Sequence, residues 1–335
     1  MTALGRSFNP RKACFYSSKR VSKHFTAGSK VDILAPSSLY QKAHTSVEVL
    51  QLLVSGISQG CVYGLIALGF VLIYKATEMV NFAQGDLMMM GAFIAYTYVN
   101  LMGMPFLVGF LATIVSMAVV GALLERVIVR PMIGEPPFAV LMITIGLGFV
   151  LRAIAGAVWG AEPKTISSPF AGDVLRFNGV TLGYENLAII AGTILLCLAL
   201  FGFFQFTRLG LAMQAASQNQ LAAYYCGIPV KRIYAFVWAL SAAIAATTGI
   251  LVAPITLIDP MMGFVGVKAF AAAIVGGFGS LQGAMAGGLL IGIVEQFAGR
   301  YLPTGFADTS AYALLLLMLL VRPEGLFATI QRKKV

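Results

Sequence analysis

Long apolar runs recur from residue 49 to residue 321, and they constrain the fold more than any other feature of the chain. A helix needs about 20 apolar residues to cross a bilayer. On that measure the segments fall at about 49–74, 87–103, 106–124, 138–159, 186–206, 233–258, 269–294 and 306–321. Composition agrees, because 59% of residues are hydrophobic and 11% are charged, with mean hydropathy +0.87. A soluble domain carries about 25% charged residues, so this chain has too few polar groups to cover a water-facing surface. The expected fold is all-α, a polytopic membrane helix bundle of about eight hydrophobic segments, one of them broken or re-entrant.

The broken segment is expected at "VGGFGSLQG", residues 275–283, where Gly276, Gly277 and Gly279 disfavour a continuous helix. Such a break is tolerated at membrane depth only where protein buries it. Small residues also recur at helical spacing, as Gly56, Gly60 and Gly64 in the first segment, and as the pairs Gly283/Gly287 and Gly288/Gly292 in the seventh. These faces allow close helix packing in lipid. Spacing alone leaves open whether they meet each other or a second copy.

Charge is concentrated at the start. Residues 1–45 carry eight basic residues against Asp32 alone, whereas the remaining chain is nearly balanced. The net charge of +10 is therefore mostly a property of the tail. The body has no basic stripe, which argues against nucleic-acid binding. Residues 1–46 read as a transit peptide, a disordered tail or a mis-assigned start ahead of Val47. The basic connections 125–137 and 207–232 are expected on the cytoplasmic side. Parity then requires residues 259–300 to dip in and return, with the glycines at 276–279 as the bend. Between 160 and 184, "RFNGVTL" reads as a short hairpin about Asn178-Gly179.

Chemistry-bearing motifs are scarce. Cys14, Cys61, Cys197 and Cys226 show no CxxC spacing, and His24 and His44 lie in the tail, so no metal site or thiol catalysis is expected in the body. There is no phosphate-binding loop, HExxH or GxSxG pattern. The polar stretch that stands out is "KATEMVNFAQGDLMMMG", Lys75–Gly91, with Glu78, Asn81, Gln84 and Asp86 between two apolar runs. The 26-residue run before it spans about 39 Å as helix, enough to cross, which favours an interfacial loop. The alternative is a broken helix that sets Asn81 and Gln84 deeper. Arg152 is the most costly single charge, able to pair with Glu162 or to face the bundle interior. Lys268 reads as a residue snorkelling to the interface, and Glu295 with Arg300 as a surface pair.

The motifs join into a wider pattern. "GLIALGFVLIYKATEMVNFAQGDLMMMGAF" (64–93), "FTRLGLAMQAASQNQLAAYYCGIPVKRIY" (206–234), "GVKAFAAAIVGGFGSLQGAMAGGLLIGIVE" (266–295) and "VRPEGLF" (321–327) run in colinear order. Together they resemble the branched-chain amino acid ABC transporter permeases of the H-type subunit. The resemblance covers about 47–330, as one transmembrane permease domain followed by a basic tail at 331–335. It implies a multi-pass subunit of a bacterial inner-membrane importer for leucine, isoleucine and valine. A sibling version would move amides, urea or similar small solutes. A stand-alone secondary transporter is the reading from another class, and the few titratable residues within the spans speak against it.

The same resemblance implies partners: an M-type permease, two ATP-binding subunits that use ATP and Mg, a periplasmic substrate-binding protein, and membrane lipid. No cofactor is implied in this chain, and it is not expected to be an enzyme. Gly210 to Gly227 is expected as a coupling helix to the ATPase, with Gly210, Ala215, Ala216 and Gly227 matching the pattern. Leu211 and Gln214 stand where relatives often carry Arg. For the polar stretch, the resemblance favours a broken segment with Asn81 and Gln84 on the translocation pathway, and Glu78 and Asp86 at the interface.

Overall fold

The computed structural model describes residues 37–169, 172, 174–177 and 180–327. Most of the basic N-terminal segment and the tail at 331–335 lie outside the described residues. The chain divides into residues 1–43, of which only the first turns of α1 (Ser37–Thr77) are described, and residues 44–335, which carry everything below. The helices continue as α2 (Gln84–Tyr96), α3 (Phe106–Leu124), α4 (Pro137–Trp159), α5 (Tyr184–Phe206), α6 (Arg208–Gln218), α7 (Gln220–Tyr225), α8 (Val230–Val252), α9 (Val265–Gly276), α10 (Leu281–Tyr301) and α11 (Phe306–Val321). Among the described residues, six helices are long and apolar enough to cross a membrane: α1, α3, α4, α5, α8 and α10. The helical bundle is as expected, with one addition legible beforehand. Strands β1 (Val174–Phe177) and β2 (Val180–Gly183) pair antiparallel, with Phe177 opposite Val180, and the Asn178-Gly179 turn lies outside the described residues.

Helix α1 is the axis of the bundle, almost wholly buried from Cys61 to Ala76, while α3 and α5 present large apolar side chains outward. The glycine faces settle how α1 is held. A Cβ on Gly60 would lie 2.6 Å from Leu289 Cα, and Cβ atoms on Gly288 and Gly292 would fall on the backbones of Gly64 and Gly60. The two small-residue faces therefore meet each other, α1 on α10, within one chain. Gly91 on α2 and Gly249 on α8 bring those helices together in the same way. Dispersion and close backbone contact supply the attraction, since lipid tails are as apolar as the helices themselves.

The seventh segment is two helices rather than one. Helix α9 stops at Gly276, Gly277 takes φ +101, which favours glycine, and α10 starts at Leu281 behind an N-cap in which Ser280 accepts from Gly283 N–H at 3.1 Å. The bend rests on the chain after α11: Leu326 and Phe327 N–H donate to the carbonyls of Val275 and Gly276 at 2.9 and 3.1 Å. At the far end of α10, Arg300 pairs with Glu48 at the start of the α1 span. The glycine bend expected within 275–283 is therefore present, and α10 beyond it is itself long and apolar enough to cross a membrane. Two surface readings are corrected here. Arg300 pairs with Glu48, not Glu295, and Lys268 is no free snorkelling cation: its Nζ bonds Glu295 Oε1 at 2.6 Å and Asp308 Oδ1 at 2.5 Å. Glu295 also accepts from Tyr63 Oη at 2.6 Å, so the cluster ties α1, α9, α10 and α11 together.

Candidate functional site

Helix α1 ends at Thr77, whose hydroxyl donates to the Ile73 carbonyl, and exposed Glu78 turns the chain with φ 58. The chain then runs back along α1. Gln84 packs on Gly69, eight residues before the end of α1, or about 12 Å along it. Phe82 N–H donates to Thr144 Oγ1, seven residues or about 10 Å into α4. The stretch 78–83 is thus a non-helical break inside the bundle, and α2 starts part-way along α1 and α4.

Asn81 and Gln84 are both fully buried, and internal hydrogen bonds hold them. Asn81 Oδ1 accepts from Ala83 N–H at 3.1 Å, and its Nδ2 donates to Gln84 Oε1 at 3.4 Å. Ser241 Oγ on α8 donates to Gln84 Oε1 at 2.9 Å and lies 3.1 Å from the Gly69 carbonyl; Gln84 Nε2 donates to the Ser241 carbonyl at 3.3 Å. The two amides therefore bind α1, α2 and α8 at one level. Buried amides left without partners cost about 1–3 kcal/mol each, so this arrangement also specifies the register.

Two residues later the expectation for Asp86 is overturned. It is 3% exposed rather than interfacial, and its partner is Arg152 on α4, which faces the bundle interior instead of pairing with Glu162. Arg152 Nε donates to Asp86 Oδ1 at 2.6 Å and Nη2 to Oδ2 at 3.3 Å. The carboxylate is wedged where side chains are missing, because a Cβ on Gly148 or on Gly263 would fall on it. Gly263 belongs to a 3-10 turn, Met262–Phe264, that leads into α9, and Gly85 packs on Gly266. Helix α8 ends at Val252, so residues 253–264 also return into the bundle without α-helix. Two interrupted segments, 78–83 and 253–264, consequently meet at Asp86, beside the N-termini of α2 and α9. A carboxylate is favourable at helix N-termini. The sequence signal for the pair existed: two charges of opposite sign in apolar spans, neither with a local partner.

The connection 207–232 forms two helices where a single coupling helix is expected. Thr207 Oγ1 caps α6 by accepting from Gly210 N–H at 3.0 Å, and Asn219, in extended backbone, caps α7 through Ala222 N–H at 2.9 Å. That second cap is what interrupts the helix. Gly210 is buried against Phe203 and Phe204, and Ala216 is buried. Ala215 and Gly227 are exposed, the latter at φ +81. Leu209, Leu211, Leu221, Tyr224 and Tyr225 are exposed, the last three at the i, i+3, i+4 spacing of one face of α7. Gln220 Nε2 reaches the Ala76 carbonyl at 3.3 Å, linking this connection to the end of α1. Among the described residues no cluster of His, Cys, Asp and Glu could hold a metal ion.

The family described as "Branched-chain amino acid transport system / permease component" matches residues 52–322. The chain belongs to this permease family. It is 33% identical over 300 residues to the high-affinity branched-chain amino acid transport system permease protein BraD of Pseudomonas aeruginosa, covering 85% of this chain and 98% of that protein. Similarity to the corresponding permease protein LivH of Escherichia coli is 32% over 301 residues, covering 85% and 97%. A probable LivH of Methanocaldococcus jannaschii is 31% identical over 275 residues, covering 78% and 87%. The chain is thus a multi-pass membrane permease component, and both interrupted segments and the α6–α7 connection lie inside the matched region.

Proposed function

We propose that this chain is the H-type membrane subunit of an ATP-driven importer of leucine, isoleucine and valine. The observation that carries this reading is colinear similarity to BraD and LivH along nearly their whole length. In this reading an M-type permease stands beside it, two ATP-binding subunits hydrolyse ATP below it, and a periplasmic binding protein delivers substrate. The α6–α7 connection, from Gly210 through Ala215 and Ala216 to Gly227, is the contact to an ATP-binding subunit. Its exposed leucines and tyrosines supply an apolar docking face, and Gln220 hands displacement to α1.

Asn81 and Gln84 act on translocation through the break they hold. Closed in on all sides, they tie the break at 78–83 to α1 and α8; shifting α8 against α1 would have to exchange their bonds. A permease needs two packings of this kind, with ligand and nucleotide biasing one over the other. The test is reconstitution of the chain with its cognate subunits and binding protein in proteoliposomes. Radiolabelled leucine should accumulate only with ATP, and isoleucine and valine should compete while urea and acetamide do not. Accumulation of urea or an amide in place of leucine would reassign the substrate.

A further inference from the structure

Arg152 is not fully used by Asp86. A guanidinium has five N–H donors, and Asp86 occupies only the Nε–Nη2 edge. The Nη1 group and the second Nη2 hydrogen have no acceptor among the described residues. The side chain remains 18% exposed. Two aromatic rings border it: Phe264 with its centroid 3.8 Å from the guanidinium carbon, and Phe149 at 5.5 Å. These rings are themselves 50% and 62% exposed.

Arg152 lies seven residues before the end of α4, about 10 Å inside it. The bond to Asp86 prevents its head from snorkelling outward. Hydrocarbon against unfilled guanidinium donors is strongly unfavourable, because an Arg at helix centre is among the costliest residues to place in a membrane. Whatever faces this edge must therefore bring acceptors. The free Nη1–Nη2 edge is planar and two-pronged, the form that matches a carboxylate. The rings beside it suit an aliphatic side chain, and the N-terminus of α9 adds positive potential.

We propose that the free edge of Arg152, bordered by Phe264 and Phe149, receives the α-carboxylate of the amino acid as it passes this chain. The assignment rests on the importer reading above and adds the point of contact to it. Asp86 then has a second role: it orients the guanidinium so that one edge faces outward.

The test uses the complete transporter in proteoliposomes, with the native cysteines replaced and Val267→Cys as the probe. Val267 is exposed and one turn on from Phe264. Reaction is followed with an anionic and a cationic methanethiosulfonate reagent. The anionic reagent should react several-fold faster. The neutral pair Asp86→Asn with Arg152→Gln should abolish that preference, and Lys268, present in both proteins, cancels from the comparison. Leucine-loaded binding protein with ATP should slow the anionic reagent several-fold. Lack of reaction with either reagent would mean lipid or the second permease covers this face, and would overturn the proposal. An unchanged charge preference in the double variant, or no protection by leucine, would overturn it as well. The two readings fail separately: absence of leucine uptake by the unmodified complex defeats the importer assignment, whereas intact uptake with an unreactive thiol at position 267 defeats only the site.

Discussion

Helix α1 is held at two places by opposite means. Against α10 the contact is made by what is missing, since Gly56, Gly60 and Gly64 face Gly288 and Gly292 with backbones nearly touching. Against α2 and α8 it is made by what is present, a set of buried hydrogen bonds among Asn81, Gln84, Ser241 and Gly69, and the Asp86–Arg152 pair carries the same junction on to α4. The first contact is non-directional and admits no added atom. The second is directional and can exchange partners. In a membrane, where apolar surface does not by itself favour helix association, a glycine seam suits a fixed frame and a polar junction suits a part that moves between two arrangements.

The largest expected effect is on the frame. Gly288→Leu must push α1 off α10; overpacking costs about 1–3 kcal/mol and exceeds that where, as here, the added side chain meets backbone. The folded protein recovered in detergent should collapse, as read by size-exclusion profile and thermal melt. Next comes Arg152→Ala, which leaves Asp86 buried without its partner, a loss of about 3–5 kcal/mol. Adding Asp86→Asn should restore much of the melting temperature. If it does not, the pair is no unit.

Smaller again, Gln84→Ala should lower stability by about 1–3 kcal/mol, because the Ser241 hydroxyl and the Asn81 amide lose an acceptor. Uptake should fall more than stability does, while the complex still assembles. Equal losses of both would make the junction as static as the glycine seam. Asn81→Ala should act in the same direction with a lesser effect, since its bond to Gln84 is long, at 3.4 Å. The smallest structural effect belongs to Gly227→Leu. Nothing lies within 4 Å of a Cβ there, but φ +81 strains any L residue by about 1–2 kcal/mol. ATP hydrolysis should continue while uptake drops; normal uptake would remove Gly227 from the coupling role.

Much of this architecture is legible without the tertiary structure. The spans follow from apolar length, the bend at 276–280 from its glycines, and the hairpin from Asn-Gly between alternating residues. The Lys75–Gly91 stretch raises the right question, loop or break, and its resemblance to a permease signature points to the break. The burial of Asp86 is not legible in this way, because its partner is 66 residues away on another helix. Local pattern marks two opposite charges without local partners but does not say that they meet. Asn219 is equally hard to read as a cap inside an Ala-rich helical run, where one extended residue is enough to make two helices of one.

By itself the sequence determined that the chain is a membrane-embedded helical bundle, where its helices can break, and the family whose signatures it carries. Those properties depend on composition and short-range spacing, which the chain states directly. Tertiary structure alone decided that the two glycine faces meet each other, that Asn81 and Gln84 are closed in, with Gln84 bonded to α8, and that Asp86 finds Arg152 where two interrupted segments meet. Each of these depends on which distant helices become neighbours, and burial then makes every unpaired polar group and every surplus methyl costly enough to select one arrangement.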